Sequence, residues 1–126
     1  MLDPTDAVDE PLVLVAEDHP EVRTMLAQVL RHSGYRVAVA PDGEEAIRLA
    51  LLLRPRAAFV DISLPDLDGY EVARRLKAAL GGAIRLAAYT SLRSPDDQRE
   101  AFEAGFDAHF VKPTPVRQLV DWLANH

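Results

Sequence analysis

The amino-acid sequence predicts an α/β fold, a three-layer sandwich with a parallel sheet between two layers of helices. Three observations carry that prediction. Five short apolar runs, such as Leu12-Val13-Leu14-Val15-Ala16 and Ala57-Ala58-Phe59-Val60, show little polar alternation, which is how strands buried on both faces read. Five stretches with apolar residues at helical spacing alternate with them, and the connections are short. Such alternation implies right-handed βαβ crossovers, in sheets that gather functional groups at their carboxyl edge.

Residues 1–11 hold two prolines, four acids and little that packs, so they read as a flexible leader ahead of a single domain over residues 12–126. Strand one is Leu12 to Ala16, closed by Glu17-Asp18. After His19, Pro20 suits a first helical turn, and Val22, Met25, Leu26, Val29 and Leu30 mark the inward face until Gly34. Tyr35 to Ala40 is strand two. Asp42-Gly43-Glu44-Glu45 is a capping-box signature for a helix with apolar positions Ala46, Ile47, Ala50, Leu51 and Leu53, and Pro55 lies past its end. Strand three, Ala57 to Val60, closes at Asp61.

The loop Ile62 to Asp68 leads into a helix from Gly69 to Leu80 with Val72, Ala73, Leu76 and Leu80 inward, and Gly81-Gly82 end it. Ala83 to Tyr89 is strand four, finishing at Thr90-Ser91. Ser94-Pro95-Asp96-Asp97 then combines an N-cap, a proline at the first helical position and acids in the first turn. The helix it starts offers only Ala101, Phe102 and Ala104 to the core, ends at Gly105, and is expected to dock weakly. Asp107 to Val111 is strand five, Lys112-Pro113 follows, and Pro115 to Ala124 is a last helix with Leu119, Val120 and Leu123 inward.

Composition narrows the function classes. A chain of 126 residues with 48% hydrophobic content suffices for one domain with a real core. Zero cysteines exclude a disulfide framework, a thiolate metal site and a thiol nucleophile. No apolar run approaches the ~20 residues that span a bilayer, and the amino terminus lacks the basic and apolar regions of a signal peptide. A cytoplasmic protein is therefore expected. The net charge is −6, and setting aside Asp3, Asp6, Asp9 and Glu10 leaves about −2, which argues against direct nucleic-acid binding. No glycine-rich phosphate loop follows strand one.

The polar strand ends fall on one edge: Glu17 and Asp18, then Asp61, then Thr90, then Lys112. Three carboxylates held close raise one another's pKa, and a hard divalent ion relieves that. Magnesium takes octahedral oxygen ligands and needs only one or two carboxylates beside a phosphate. A hydroxyl and an ammonium on neighbouring strands then suit the oxygens of a phosphoryl group, whose transfer is driven largely by charge neutralisation. An aspartate can be the nucleophile itself, giving an acyl phosphate.

With these residues in place the chain resembles the receiver domain of two-component response regulators. The resemblance runs from about Leu12 to Asn125 and rests on Glu17-Asp18, Asp61 with Leu64-Pro65 and Asp68-Gly69, Thr90-Ser91, Ala104-Gly105-Phe106-Asp107 and Lys112-Pro113. It implies a flavodoxin-like sheet in the order 2-1-3-4-5. It further implies that Asp61 is the phosphoacceptor, that Asp18 ligates Mg²⁺ directly with Glu17 assisting through water, and that Ser63 contributes its backbone carbonyl. Thr90 would bond a phosphoryl oxygen and Lys112 would pair with the phosphate. The implied partners are a sensor histidine kinase or histidine phosphotransfer protein and a downstream effector, bound through the face of helix four, strand five and helix five; a phosphorylation-dependent homodimer is compatible with this. The domain would be a signalling phosphoacceptor that catalyses only its own phosphorylation and dephosphorylation, with no membrane contact. The family's peptide at the position of Lys112-Pro113 is cis, where sequence alone favours trans.

Two departures stand out. The family commonly places Tyr or Phe three residues before the lysine as a ring that swings with Thr90, and here that position is His109. Ser63 and Leu92 occupy positions that tune access of the hydrolytic water. His109 reads as a half-exposed strand residue, His19, His32 and His126 as surface residues, and Trp122 as a partly exposed ring. A metal-dependent phosphohydrolase is the competing class, but such enzymes usually carry an acid two residues after the nucleophile and a cap insertion; Ser63 stands there instead and no insertion is long enough. A degenerate receiver acting only as an interaction module is a third class, which the complete site opposes. The sequence does not separate a free-standing receiver from part of a longer regulator or hybrid kinase.

Overall fold

A computed structural model describes residues 11–125. The expected leader and His126 therefore lie, but for Pro11, outside the described residues. The strands are β1 (Leu12–Ala16), β2 (Arg36–Ala40), β3 (Ala57–Val60), β4 (Arg85–Thr90) and β5 (Ala108–Val111). The helices are α1 (Pro20–His32), α2 (Gly43–Leu53), α3 (Gly69–Leu80), α4 (Pro95–Ala104) and α5 (Val116–Ala124), with one 3₁₀ turn at Gly81–Ala83. All strands pair in parallel in the order β2-β1-β3-β4-β5, the flavodoxin-like topology that the resemblance implies.

Period-two alternation sorts the strand side chains onto two cores. Leu14, Ala16, Ala58, Val60, Leu86 and Ala88 pack with Ala46, Ala50, Val72, Ala73, Leu76, Ala101 and Ala104 of α2, α3 and α4. Val13, Val15, Ala57, Phe59, Ala87 and Tyr89 pack with Leu26, Leu30, Leu119 and Leu123 of α1 and α5. Phe59, Phe110 and Trp122 meet edge to face in this second core, so Trp122 is held in packing, half-buried.

Helix starts follow from side-chain acceptors for the free amides of the first turn. Asp68 Oδ1 accepts from Glu71 N at 2.9 Å, and Ser94 with Asp97 forms a reciprocal capping box. His19, read as a plain surface residue, is exposed and also caps α1 by accepting from Val22 N. At α2 the capping box is only half made: Asp42 Oδ1 accepts from Glu45 N at 2.8 Å, while the Glu45 carboxylate turns to Arg48.

Several inward assignments do not hold. Met25, Leu51, Leu53 and Phe102 are exposed. In α1 the buried positions are Leu26, Ala27 and Leu30, which leaves Met25 about 100° to one side. In α4 Ala101 and Ala104 take the inward positions one turn apart, so Phe102 rotates outward for the same reason. Helix α2 packs on the sheet through Ala46 and Ala50, with Gly43 buried against Leu67 and Val72, and its last turn runs on to the exposed C-cap Arg54. Element ends otherwise differ from expectation by a residue or two: Thr90 belongs to β4, Ala83 to the 3₁₀ turn, and Pro115 caps α5.

Candidate functional site

Register places the site. Ala16 of β1 lies beside Val60 of β3, and the ladder runs one step further, with Asp61 N donating to Ala16 O at 3.0 Å and Glu17 N to Ala40 O at 3.0 Å. Across the sheet Lys112 N donates to Thr90 O at 2.8 Å. Glu17, Asp61 and Lys112 therefore continue the alternation of Val13/Val15, Ala57/Phe59 and Ala108/Phe110, and their side chains leave the sheet on the α1 and α5 side. Thr90 and His109 continue the opposite face, where register makes them diagonal neighbours on β4 and β5.

At this rim the Lys112 ammonium bridges two acids. Its Nζ stands 2.9 Å from Asp61 Oδ2 and pairs also with Glu17 Oε1. Carboxylate oxygens of Glu17, Asp18 and Asp61 lie within 4.8 Å of one another. Glu17 is 3% and Asp61 8% exposed, whereas Asp18 faces solvent. Burial pushes the Glu17 pKa up, with the Asp61 charge adding, against the opposing pull of Lys112 and of the His19 amide. Burial alone would lower the Lys112 pKa, but its hydrogen bonds to Glu17 and Asp61 outweigh that and raise it.

Backbone contacts hold these groups in place. Ser63 N donates to Asp61 Oδ1 at 3.1 Å. Arg23, which the sequence reading passed over, donates from Nη1 to Glu17 O at 2.9 Å and Asp18 O at 3.3 Å, tying the acidic turn to α1. Gly69 N donates to Ile62 O at 2.8 Å, closing the β3–α3 loop on itself. The Lys112-Pro113 peptide is cis, as the resemblance implies. Thr90 is fully buried and its Oγ1 accepts from Leu92 N at 3.3 Å.

His109 is half-buried in β5, in line with the half-exposed strand residue expected, but both of its ring nitrogens are buried without a hydrogen-bond partner among the described residues. Burial lowers its pKa, while the Asp97 charge and a nearby Leu92 backbone group, short of hydrogen-bond geometry, oppose that shift more weakly. One matched motif lies elsewhere. Asp107 of Ala104-Gly105-Phe106-Asp107 sits at the amino end of β5, where its Oδ2 accepts from Leu86 N at 2.8 Å and Lys77 Nζ at 3.0 Å, a structural role that ties β5 and α3 to β4.

The donor set fits a hard divalent cation. Its side-chain donors are carboxylate oxygens, close enough to share one ion. Three carboxylates against one ammonium leave a formal charge of two to be balanced. The sequence reading assigned that task wholly to a metal, whereas Lys112 performs part of it.

The profile of the response regulator receiver domain matches residues 13–124. The chain belongs to that family. It is 40% identical over 113 residues to the transcriptional regulatory protein PrrA of Mycobacterium tuberculosis, covering 90% of this chain and 48% of PrrA. It is 34% identical over 109 residues to AfsQ1 of Streptomyces coelicolor, covering 86% of this chain and 48% of that protein. The receiver domain thus spans about half the length of the curated relatives that it matches. Among solved structures, the BeF₃-activated receiver domain of Klebsiella pneumoniae RstA superposes with a TM-score of 0.85 at 30% identity, over 91% of this chain and 97% of that one. A response regulator structure from Chloroflexus aurantiacus gives 0.86 at 30% identity, over 93% and 97%. No helix among the described residues is long and apolar enough to cross a membrane.

Proposed function

We propose that this receiver domain stores a signal as an acyl phosphate on Asp61. A phosphohistidine of a sensor kinase or histidine phosphotransfer protein presents phosphorus to an Asp61 carboxylate oxygen; an O–P bond forms, the N–P bond breaks and the imidazole leaves. Water later attacks phosphorus, releasing inorganic phosphate and restoring the carboxylate. The observation that carries this reading is the bridge from Lys112 to Glu17 and Asp61. It keeps a cation beside the nucleophile where phosphoryl charge would arrive.

Asp18, Glu17, Asp61 and the Ser63 carbonyl would hold Mg²⁺, with Asp18 as the direct ligand and Glu17 acting through water. When bound, the ion supplies charge neutralisation for phosphoryl oxygens and the crowded carboxylates. Thr90, whose hydroxyl is engaged with the Leu92 amide, would exchange that contact for a phosphoryl oxygen. His109, its diagonal neighbour, would follow the movement and alter the face of α4, β5 and α5 for an effector. On this reading the domain acts in the cytoplasm, turns over no substrate beyond its own phosphoryl group, and binds no nucleic acid directly.

Intact mass after incubation with Mg²⁺ and acetyl phosphate tests it. The expected result is a gain of one phosphoryl group that Asp61→Ala abolishes. No gain, or a gain that persists in Asp61→Ala, overturns the proposal.

A further inference from the structure

The Asp66 carboxylate crosses from the β3–α3 loop to another element. Oδ1 accepts from Gly43 N at 2.8 Å and Oδ2 from Glu44 N at 2.9 Å, both at the amino end of α2. Asp42 takes the next amide, Glu45 N, so α2 is capped by two acids, one its own and one borrowed. The borrowed contact depends on a close approach. A Cβ at Gly43 would stand 2.9 Å from Leu67 Cβ, 3.0 Å from Val72 Cγ2 and 3.2 Å from Asp66 Oδ1.

Ends and middle of this loop are held differently. Asp61 is fixed by the sheet ladder and Gly69 by Ile62 O. Leu64 and Leu67 pack into the core beneath. Asp68 caps α3, the helix into which the loop runs; among the described residues, the two Asp66 bonds are the side-chain hydrogen bonds that tie Ile62–Asp68 to any other element. Burial would raise the Asp66 pKa, but the Gly43 and Glu44 amides, aided by the loop's own, hold it below the usual carboxylate range, consistent with a bond that needs the ionised form.

We infer that Asp66 is a positioning residue that clamps the β3–α3 loop onto α2 and thereby sets where the Ser63 backbone stands relative to Asp18 and Asp61. The inference rests on the proposed magnesium site and deepens it. Outer-sphere partners that orient a metal's ligands are typically worth 10- to 100-fold in affinity; a clamp acting through three residues of backbone should fall near the low end, about tenfold.

Calorimetric titration with Mg²⁺ alone, without a phosphodonor, compares wild type with Asp66→Ala, Asp66→Asn and Asp42→Ala. Asp42→Ala removes a cap from the same helix without releasing the loop, so it controls for simple loss of stability. Asp66→Ala should weaken Mg²⁺ binding about tenfold, Asp66→Asn should recover most of it, and Asp42→Ala should bind like wild type. Wild-type affinity in Asp66→Ala, or equal weakening in Asp42→Ala, overturns the clamp. If wild type binds no Mg²⁺, the proposed site fails instead, and the clamp is judged by amide exchange: Asp66→Ala should quicken exchange at Ser63 and Leu67 as well as Gly43 and Glu44, and exchange confined to α2 overturns it.

Discussion

Gly69 shows how tightly the chain folds back beneath Asp61. A Cβ there would lie 2.6 Å from Ile62 Cα and 2.7 Å from Asp61 O, backbone atoms that cannot step aside. Gly69→Ala should lower stability by about 1–3 kcal/mol, the usual range for overpacking, read as a shift in the urea midpoint; an unshifted midpoint would show that the loop yields freely. His109 gives a second test at this scale. Its depressed pKa means that the folded state disfavours the charged ring, so the stability it allows is present above the ordinary histidine range and lost as pH falls through it. Between pH 7 and 5 the melting temperature of wild type should drop more than that of His109→Phe, and parallel curves would refute this. Asp61 and Lys112 stand out in the sequence because charged residues at strand ends are unusual. Asp66 does not, because an acid in a polar loop looks like any other until the fold sets it against residues 43 and 44.

Helix α4 buries no large side chain of its own. Ala101 and Ala104 are its buried residues, and its start depends on the reciprocal bonds of Ser94 N to Asp97 Oδ2 at 3.1 Å and Asp97 N to Ser94 Oγ at 3.0 Å. Ser94→Ala should cost about 1 kcal/mol and accelerate amide exchange over Pro95–Ala104 more than in any other helix; uniform acceleration would mean that α4 is no looser than its neighbours. The existence and order of all ten elements were legible because apolar runs of four to six residues and helical spacing rarely coincide by chance. Inward faces were less legible. Phe102 and Met25 are hydrophobic, yet α4 turns Ala101 and Ala104 to the core and α1 turns Leu26, Ala27 and Leu30, a choice of helix phase made by packing that hydropathy does not encode.

For the whole molecule, the clustered acids should make stability depend on pH and, on the proposed reading, on divalent cations together. The Glu17 pKa is raised, so the folded state is favoured while that group holds its proton and loses this advantage as pH rises through the raised pKa. Mg²⁺ should offset the loss. The melting temperature in Mg²⁺ relative to EDTA should rise, with a gap that widens from pH 5 to 7.5; at a hundredfold excess over Kd the linkage is worth about 2.7 kcal/mol. Asp18→Ala should close most of the gap, and a gap independent of pH would rule out Glu17 as its source. The sequence revealed which residues share this rim, but the bridging of Lys112 required the register of five strands, since Glu17 and Lys112 lie 95 positions apart.

The alternation that sends Glu17, Asp61 and Lys112 to one side of the sheet end and Thr90 with His109 to the other has a practical corollary. On the proposed reading, the acids and lysine that would load the phosphate leave one flank of a single layer of backbone and the Thr90–His109 pair that would register it leaves the other, while α5 of the effector face packs on the loading flank. Asp61→Ala should therefore be deaf to the kinase, whereas His109→Ala should still take up phosphate and be mute toward the effector.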